Sequence, residues 1–517
     1  MKNDITILWA DDEIEMLKPQ ILFLEEKGFN VMPVSNGLDA IDKCLDPDIS
    51  LIFLDEMMPG LSGLDTLQQI KEKRPTIPVV MITKNETEDL MENAIGSQIS
   101  DYLIKPVKTQ QILLTIKKLV DNKRLVSEKT DSNYQKEFQK IFFSLQDALD
   151  HDQWFDIYKK LVHWELQLDH GGNSSMKEVL VSQKNEANVE FGKFIEKNYL
   201  KWLSGKSDKP VMSHTLLEEK VFPLLKDKIP TFFILIDNLR FDQWKIIEPL
   251  ISDSFKMVKE EHFYSILPTA TQYARNAIFA GLLPSEIEKR LPGLWLNDED
   301  EGGKNMQEPE FLKDNIIRNR LNLKYTYNKI LNHAEGKTLE DNILNLLTYD
   351  FNAIVYNFVD MLSHARTEME VLKELASDET AYRSLTRSWF DHSPLHNAIK
   401  KLAGKKVRII ITTDHGTIRV NTPSKVVADR NTTTNLRYKS GKNLQYNKKD
   451  VLEVKNPADA GLPKQHISST FIFAKEDLFF AYPNNYNYYV NYYKNTFQHG
   501  GISLEEMIIP FVVFQNY

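Results

Sequence analysis

The chain has 517 residues, 42% of them hydrophobic and 26% charged, with a formal net charge of −9. Such values fit a water-soluble globular protein of two to four domains. They exclude a surface that holds polyanions by overall charge, so any such partner would need a local basic patch. The single cysteine, Cys44, excludes a disulfide framework, and nothing suggests an oxidising compartment. The start "MKNDITILWADDE" lacks a signal-peptide layout, and runs such as "FFILI" and "RIII" are too short to span a bilayer. The expectation is a cytoplasmic protein without membrane insertion.

Residues 1–122 alternate short apolar runs with amphipathic stretches. Strands are predicted at 5–10, 30–34, 50–54, 78–82 and 101–104, with helical segments such as "IEMLKPQILFLEEKG" and "QQILLTIKKLV" between them. This alternation predicts a parallel sheet covered on both faces. Its strand ends carry Asp11 and Asp12 in "WADDE", Asp55 in "IFLDEMMPG", Thr83 in "MITKNE" and Lys105 in "DYLIKP". In a parallel sheet these ends open on one edge, where ligands bind. Crowded carboxylates repel one another unless a hard cation joins them, and carboxylate oxygens suit Mg²⁺. The Thr hydroxyl and the Lys ammonium would then neutralise phosphoryl oxygens on Asp55.

These positions, in register over about 120 residues, resemble the receiver domain of two-component response regulators. The resemblance implies a flavodoxin-like doubly wound fold and phosphorylation of Asp55 by a cognate histidine kinase. It also implies Mg²⁺ on Asp12, Asp55 and the carbonyl of Met57 with help from Asp11. Thr83 and Lys105 would sense the phosphoryl group, and Tyr102 would be the aromatic coupled to it.

Residues 123–205 lose the strand signal. Phe138, Ile141, Phe142 and Leu145 recur at i, i+3, i+4 and i+7, and Trp154, Phe155, Tyr158, Leu161 and Val162 continue that face. After "DHGGNSS" a further helical stretch runs through Val189, Phe191, Phe194 and Ile195. A small bundle of about three helices is expected, acting as a spacer or dimerisation element. His151, His163 and His170 read as ordinary surface or core residues.

Residues 206–517 follow the linker-like "SGKSDKP" and return to βα alternation with longer loops. Apolar strands are predicted at 231–236, 353–359, 407–412 and 469–474. Asp and His residues cluster just after such runs: Asp237 in "FFILIDNLR", Asp360 and His364 in "AIVYNFVDMLSHAR", and Asp414 and His415 in "VRIIITTDHGT", with His499 in "FQHGGISLEEMIIP". The i, i+4 spacing of Asp360 and His364 puts both on one face of a helical turn. Imidazole nitrogen and carboxylate oxygen suit zinc, and a zinc pair needs roughly six or seven protein ligands. "YSILPTATQYARNAIFAG" predicts a strand, a turn and a helix with Thr271 near its N-terminus, where backbone N–H groups favour an anion. A threonine hydroxyl needs a base or a metal to become a nucleophile.

The set resembles the alkaline phosphatase superfamily, most closely its PglZ-type branch. The resemblance implies Zn²⁺ on Asp237, Thr271, Asp414 and His415 and a second Zn²⁺ on Asp360, His364 and His499, with Thr271 as nucleophile; Mn²⁺ accepts similar ligands. Position 274 is Ala where the phosphodiesterase branch carries a phosphate-holding Asn, which leaves Arg275 and Asn276 as candidate substrate contacts. Arg419, Lys425, Arg430, Arg437, Lys439 and Lys442 surround Tyr438, and a Tyr-rich stretch from Tyr482 to Tyr493 follows. Interleaved basic and aromatic groups suit short nucleic acid; the competing reading is a solvated loop and a core-packing helix.

The full layout of receiver, helical linker and PglZ-type domain resembles the PorX-like family of response regulators, associated in Bacteroidetes with type IX protein secretion. That resemblance implies hydrolysis of phosphodiesters in cyclic or linear oligonucleotides, a phosphorylation-dependent homodimer, and contact with other signalling proteins. No duplex DNA-binding helix-turn-helix follows the receiver. The alternative is a signalling scaffold, in which zinc shapes a surface that binds partner proteins without catalysis.

Overall fold

The computed structural model describes residues 5–84, 99–116, 118–119, 122–171, 174–205, 208–298, 300–357, 359, 378–428, 433–464 and 469–516. The chain divides into two compact bodies, residues 1–135 with 170–173, and 136–169 with 174–517. Among the described residues no helix is long and apolar enough to cross a membrane.

The first body holds β1 (Thr6–Ala10), β2 (Asn30–Val34), β3 (Ile49–Asp55), β4 (Val79–Thr83) and β5 (Asp101–Ile104), all parallel in the order β2-β1-β3-β4-β5. This is the flavodoxin-like doubly wound order. Alternation along β1 feeds two cores: Ile7 and Trp9 pack on one face with Phe53 and Ile112, Leu8 and Ala10 on the other with Ile52 and Leu67. Asn36 and Ser62 cap the helices Gly37–Lys43 and Gly63–Lys73 by accepting backbone N–H bonds from Asp39 and Asp65.

In the second body the linker supplies the helices His151–Gly171 and Ser174–Leu203, preceded by the last turns of the long helix Asn122–Ser144. Their apolar faces do not close on one another alone. Phe155 and Tyr158 meet Phe241 at 5.5 and 5.7 Å, and Trp202 meets Tyr264 at 5.5 Å. Buried ion pairs reinforce this: Arg383 binds Glu165 at 2.7 Å, and Lys184 reaches Glu505 at 3.5 Å. The two helices are therefore a wall of the C-terminal domain, whereas the sequence suggests a small separate bundle acting as a spacer or dimerisation element.

That domain is built on β6 (Thr231–Ile236), β7 (Lys256–Tyr264), β8 (Tyr325–Ile330), β9 (Phe351–Tyr356) and β10 (Val407–Thr412). Smaller strands follow: β11 (Ile418–Arg419), β12 (Thr422–Lys425), β13 (Tyr438–Gly441), β14 (Val451–Val454), β15 (Thr470–Ala474), β16 (Leu478–Ala481) and β17 (Phe497–Gln498). The last is the long β18 (Ile508–Asn516). The main sheet runs β7-β18-β10-β6-β9-β8, with β10, β6, β9 and β8 parallel and β18 antiparallel to both its neighbours. β6, β9 and β10 are buried at every position, as expected of strands covered on both faces. The strand predicted at 353–359 begins two residues earlier and ends three earlier, at Phe351–Tyr356. The run at 469–474 joins a separate three-stranded sheet with β13 and β14.

Candidate functional site

The parallel strands β6 and β10 are adjacent, with Leu235 opposite Thr412, so the residues that follow them meet at one sheet edge. Asp237, Asp414 and His415 each offer a ligand atom within 4.8 Å of the others, and all three are buried. Asp414 Oδ1 accepts from the backbone N–H groups of Asn238 and His415 at 3.3 and 3.1 Å, which fixes its carboxylate plane. Asp237 Oδ1 and Asp414 Oδ2 are buried oxygens with no hydrogen-bond donor among the described residues. Burial pushes the Asp237 carboxyl up to about 6, against the lowering pull of Arg275 and with a further push from Asp414; burial raises Asp414 as well. Two desolvated carboxylates with vacant lone pairs beside an imidazole are a donor set suited to zinc.

Both imidazoles of the pocket have a defined tautomer. His415 Nδ1 lies 3.2 Å from the Gly416 carbonyl, and His499 Nδ1 lies 3.2 Å from the Thr269 carbonyl. A carbonyl only accepts, so each Nδ1 carries the proton and each Nε2 is the basic nitrogen. The rings stack at 4.3 Å. Thr271 is the first residue of the helix Thr271–Ala280, whose other nine residues are all buried. Its hydroxyl lies 3.0 Å from His415 Nε2 and donates to it. The turn carrying His415 is pressed against the β18 side of the sheet, since a Cβ on Gly416 would stand 2.0 Å from the Glu505 carbonyl oxygen.

Arg275 and Asn276 do not have the role expected of substrate contacts. Arg275 is 1% exposed, and its guanidinium donates to Asp237 Oδ2 at 2.7 Å, Glu308 Oε1 at 2.8 Å and Asn357 Oδ1 at 3.0 Å. It is the internal counter-ion of a candidate metal ligand. Asn276 is likewise buried and donates to the Lys304 carbonyl. The basic loop changes character too. Arg437 is fully buried and holds Glu506 through Nη2 at 2.6 Å, and Lys439 is buried, donates to the Thr433 carbonyl and lies over the Tyr482 ring. Tyr438 is buried; Lys425 is exposed, as is Lys442. Arg430 lies outside the described residues. Helix Tyr486–Tyr493 has no fully buried residue; Val490 and Tyr493 pack against the small cluster of Ile418, Val420 and Phe479, while Tyr488 and Tyr489 are exposed and stack on Tyr492 and Tyr493.

Asp360 and His364 lie outside the described residues. Sequence reasoning missed Glu308 and Asn357, which complete the Arg275 cluster. Glu308 sits in a polar block with no apolar run before it to flag it. It also missed Thr269, whose hydroxyl donates to the Gly501 carbonyl and accepts from the Gly500 N–H, tying the His499 loop to the Thr271 turn.

In the receiver, Lys105 Nζ bridges Asp11 Oδ2 at 2.9 Å and Asp55 Oδ1 at 3.0 Å. Asp11, Asp12 and Asp55 offer ligand atoms within 4.8 Å of one another, with Asp12 exposed. Burial pushes Asp55 up to about 6, opposed by its hydrogen bond from Lys105. Thr83 hydrogen-bonds the Glu56 carboxylate, a partner the sequence did not flag. Tyr102 is 42% exposed, and Met57, expected to lend its carbonyl, is exposed.

The family model of the response regulator receiver domain matches residues 7–117, and that of the PorX response regulator linker domain matches residues 124–203. Among curated proteins, the transcriptional regulatory protein ResD of Bacillus subtilis is 30% identical over 150 residues, covering 29% of this chain and 61% of that protein. A cyclic di-GMP phosphodiesterase of Thermotoga maritima is 25% identical over 164 residues, covering 32% and 43%. The transcriptional regulatory protein ZraR of Klebsiella oxytoca is 32% identical over 123 residues, covering 24% and 28%. The chain thus spans less than two thirds of the length of each of these relatives. Among solved structures, a receiver domain protein from Clostridium thermocellum is 30% identical, covering 23% of this chain and 98% of that one with a TM-score of 0.22. Vibrio cholerae CheY4 is 19% identical, covering 22% and 98%, also at 0.22. The family model of the BREX system PglZ alkaline phosphatase-like domain matches residues 216–514, more than half of the sequence. The chain therefore belongs to the PglZ alkaline phosphatase-like family, joined to a receiver and a linker in the PorX-like architecture.

Proposed function

We propose that this response regulator takes a phosphoryl group on Asp55 from a histidine kinase and carries a metal-dependent phosphodiesterase as its effector, with Thr271 as nucleophile. The supporting observation is the hydroxyl of Thr271 at the head of a buried helix, 3.0 Å from His415 Nε2 and beside two carboxylate oxygens that no described donor satisfies. Asp237, Asp414, His415 and Thr271 would hold one zinc, and His499 would join Asp360 and His364 on a second. Zinc bound there would supply a lowered hydroxyl pKa and charge stabilisation of the phosphoryl oxygens. The chain's own groups do the positioning. The Gly416 carbonyl holds the His415 tautomer, Arg275 keeps Asp237 aimed and partly neutralised, and the first N–H groups of the Thr271 helix face the incoming anion. In the receiver, Asp11, Asp12, Asp55 and the Met57 carbonyl would hold Mg²⁺, and Lys105 would pass from Asp11 to the phosphoryl oxygens.

A diester is favoured over a monoester by the state of the nearby cations. Arg275, Arg437 and Lys439 are all committed to internal partners. A monoanionic diester needs fewer cations than a dianionic monoester. A cyclic or linear oligonucleotide is the substrate class put forward, with phosphorylation-dependent dimerisation and type IX secretion as the regulatory setting. Hydrolysis of nitrophenyl diester and monoester probes by the zinc-loaded chain and its Thr271→Ala variant tests the reading. The diester should lead, and the variant should lose about a thousandfold or more in kcat. Equal rates in both proteins, or no turnover with both zincs bound, would instead assign the domain to a zinc-shaped scaffold.

A further inference from the structure

A second donor cluster lies away from this pocket, where the linker helix His151–Gly171 crosses the outer strand β7. His151 and Asp152 open that helix, and His262 sits near the end of β7. Asp152 Oδ1 stands 3.4 Å from His151 Nδ1 and 3.5 Å from His262 Nε2, and the three ligand atoms lie within 4.8 Å of one another. Charge-assisted hydrogen bonds close to about 2.7–2.9 Å, so these separations are too long for an ordinary Asp–His pair. They match the edge of a tetrahedral zinc site: metal–ligand bonds of about 2.0–2.1 Å place neighbouring donors about 3.3–3.5 Å apart.

Three further observations fit a built site. His151 Nδ1 is buried and has no hydrogen-bond partner among the described residues. The His262 ring is clamped against Phe155 at 4.3 Å, and the Tyr264 ring meets both imidazoles edge-on, at 6.5 Å from His151 and 5.8 Å from His262, while its hydroxyl donates to the His151 backbone carbonyl. A surface cavity of about 420 Å³ borders His151, with Trp154, Phe194 and Trp202 in its wall, and the 74% exposed Asp152 side chain leaves the cluster open to solvent.

We propose that His151, Asp152 and His262 form a separate binding site for a borderline-soft divalent metal, zinc in the first place, that staples the linker helix to the effector sheet. Two nitrogens and one carboxylate leave a fourth position for water. Because the ligands come from two elements far apart in sequence, the metal would bind the folded chain and not the unfolded one, and so stabilise this seam.

The test uses the full chain carrying Asp414→Ala, His415→Ala, Asp360→Ala and His364→Ala, which removes ligands of both proposed effector zincs, stripped by chelation and kept in excess Mg²⁺ to occupy the receiver. Co²⁺ is then titrated and followed by its visible absorption. One ion should bind at this site, with the melting temperature of the chain rising. Asp152→Asn and His262→Ala should each weaken that ion at least tenfold and remove the thermal shift. The Asp152 side chain is 74% exposed, so its substitution leaves the core untouched if His262→Ala fails to fold. Unchanged Co²⁺ affinity in Asp152→Asn, or no ion bound in the parent at micromolar Co²⁺, overturns the proposal.

Discussion

The receiver pocket and the effector pocket solve one problem with different cations. Each gathers carboxylates at the ends of parallel strands, and in each burial pushes one of them, Asp55 or Asp237, up to about 6. Around Asp55 the counter-ion is Lys105, which is partly exposed and shared between two carboxylates, with Asp12 open to water beside it. Around Asp237 it is Arg275, 1% exposed and clamped by Glu308 and Asn357 as well. A mobile ammonium can transfer to an arriving phosphoryl group; a guanidinium held on three sides cannot leave. The first arrangement suits a modification that comes and goes, the second a resident metal.

The contrast between the pockets is sharpest at Asp55. Asp55→Ala should abolish phosphoryl uptake from a small phosphodonor and the dimerisation that follows, while zinc content by elemental analysis stays at the wild-type value. Loss of zinc in that variant would couple two pockets that belong to separate bodies of the chain. A smaller effect separates the two cations. Arg275→Met leaves Asp237 a buried charge without its partner and Glu308 with Lys329 alone, and should destabilise the metal-stripped chain by about 3–5 kcal/mol in denaturant melts. Lys105→Met should lose only about 1–3 kcal/mol, because the ammonium is itself partly exposed and Asp12 beside it is open to water. Zinc should shrink the Arg275 penalty by taking over part of its role; an equal penalty with and without zinc would argue against Asp237 as a ligand.

The smallest expected effect lies in the basic loop around Tyr438. Burial pushes the Lys439 amine down to about 7, well below its unfolded value of 10.5. Between those two values the unfolded chain holds more protons than the folded one, so stability rises with pH across that window. Wild type should gain on the order of 2 kcal/mol between pH 7 and pH 9 relative to Lys439→Met. Parallel curves would show that Lys439 keeps its charge in the fold.

How much of this was legible in the sequence depends on the kind of residue. The sheets and the positions of Asp237, Asp414, His415 and Asp55 follow from apolar runs that end in acids, because a buried parallel strand must stop where its polar cargo begins. Thr271 follows from a turn leading into a helix. Arg275 could not be read correctly, since its partners Glu308 and Asn357 come from separate elements and only the fold brings them together. The same holds for Arg437, which looks like a solvated cation beside Tyr438 until Glu506 is set against it. His151 and His262 show it most plainly. One opens a helix and the other alternates with charges in "KEEHFY", so neither carries a local signal. β18 was hidden by Pro510 in its middle, a residue usually confined to strand edges; in the fold it pairs with His262 on β7.

The placement of β18 has a consequence for biogenesis. It lies between β10 and β7, so during translation β7 is finished long before its sheet neighbour is made. Until β18 emerges, β7 offers an open edge that neighbouring nascent chains could adopt. Such long-range pairing also slows folding. Ribosome-bound or prematurely terminated forms of this protein should therefore depend on holdase chaperones until Ile508–Asn516 is available.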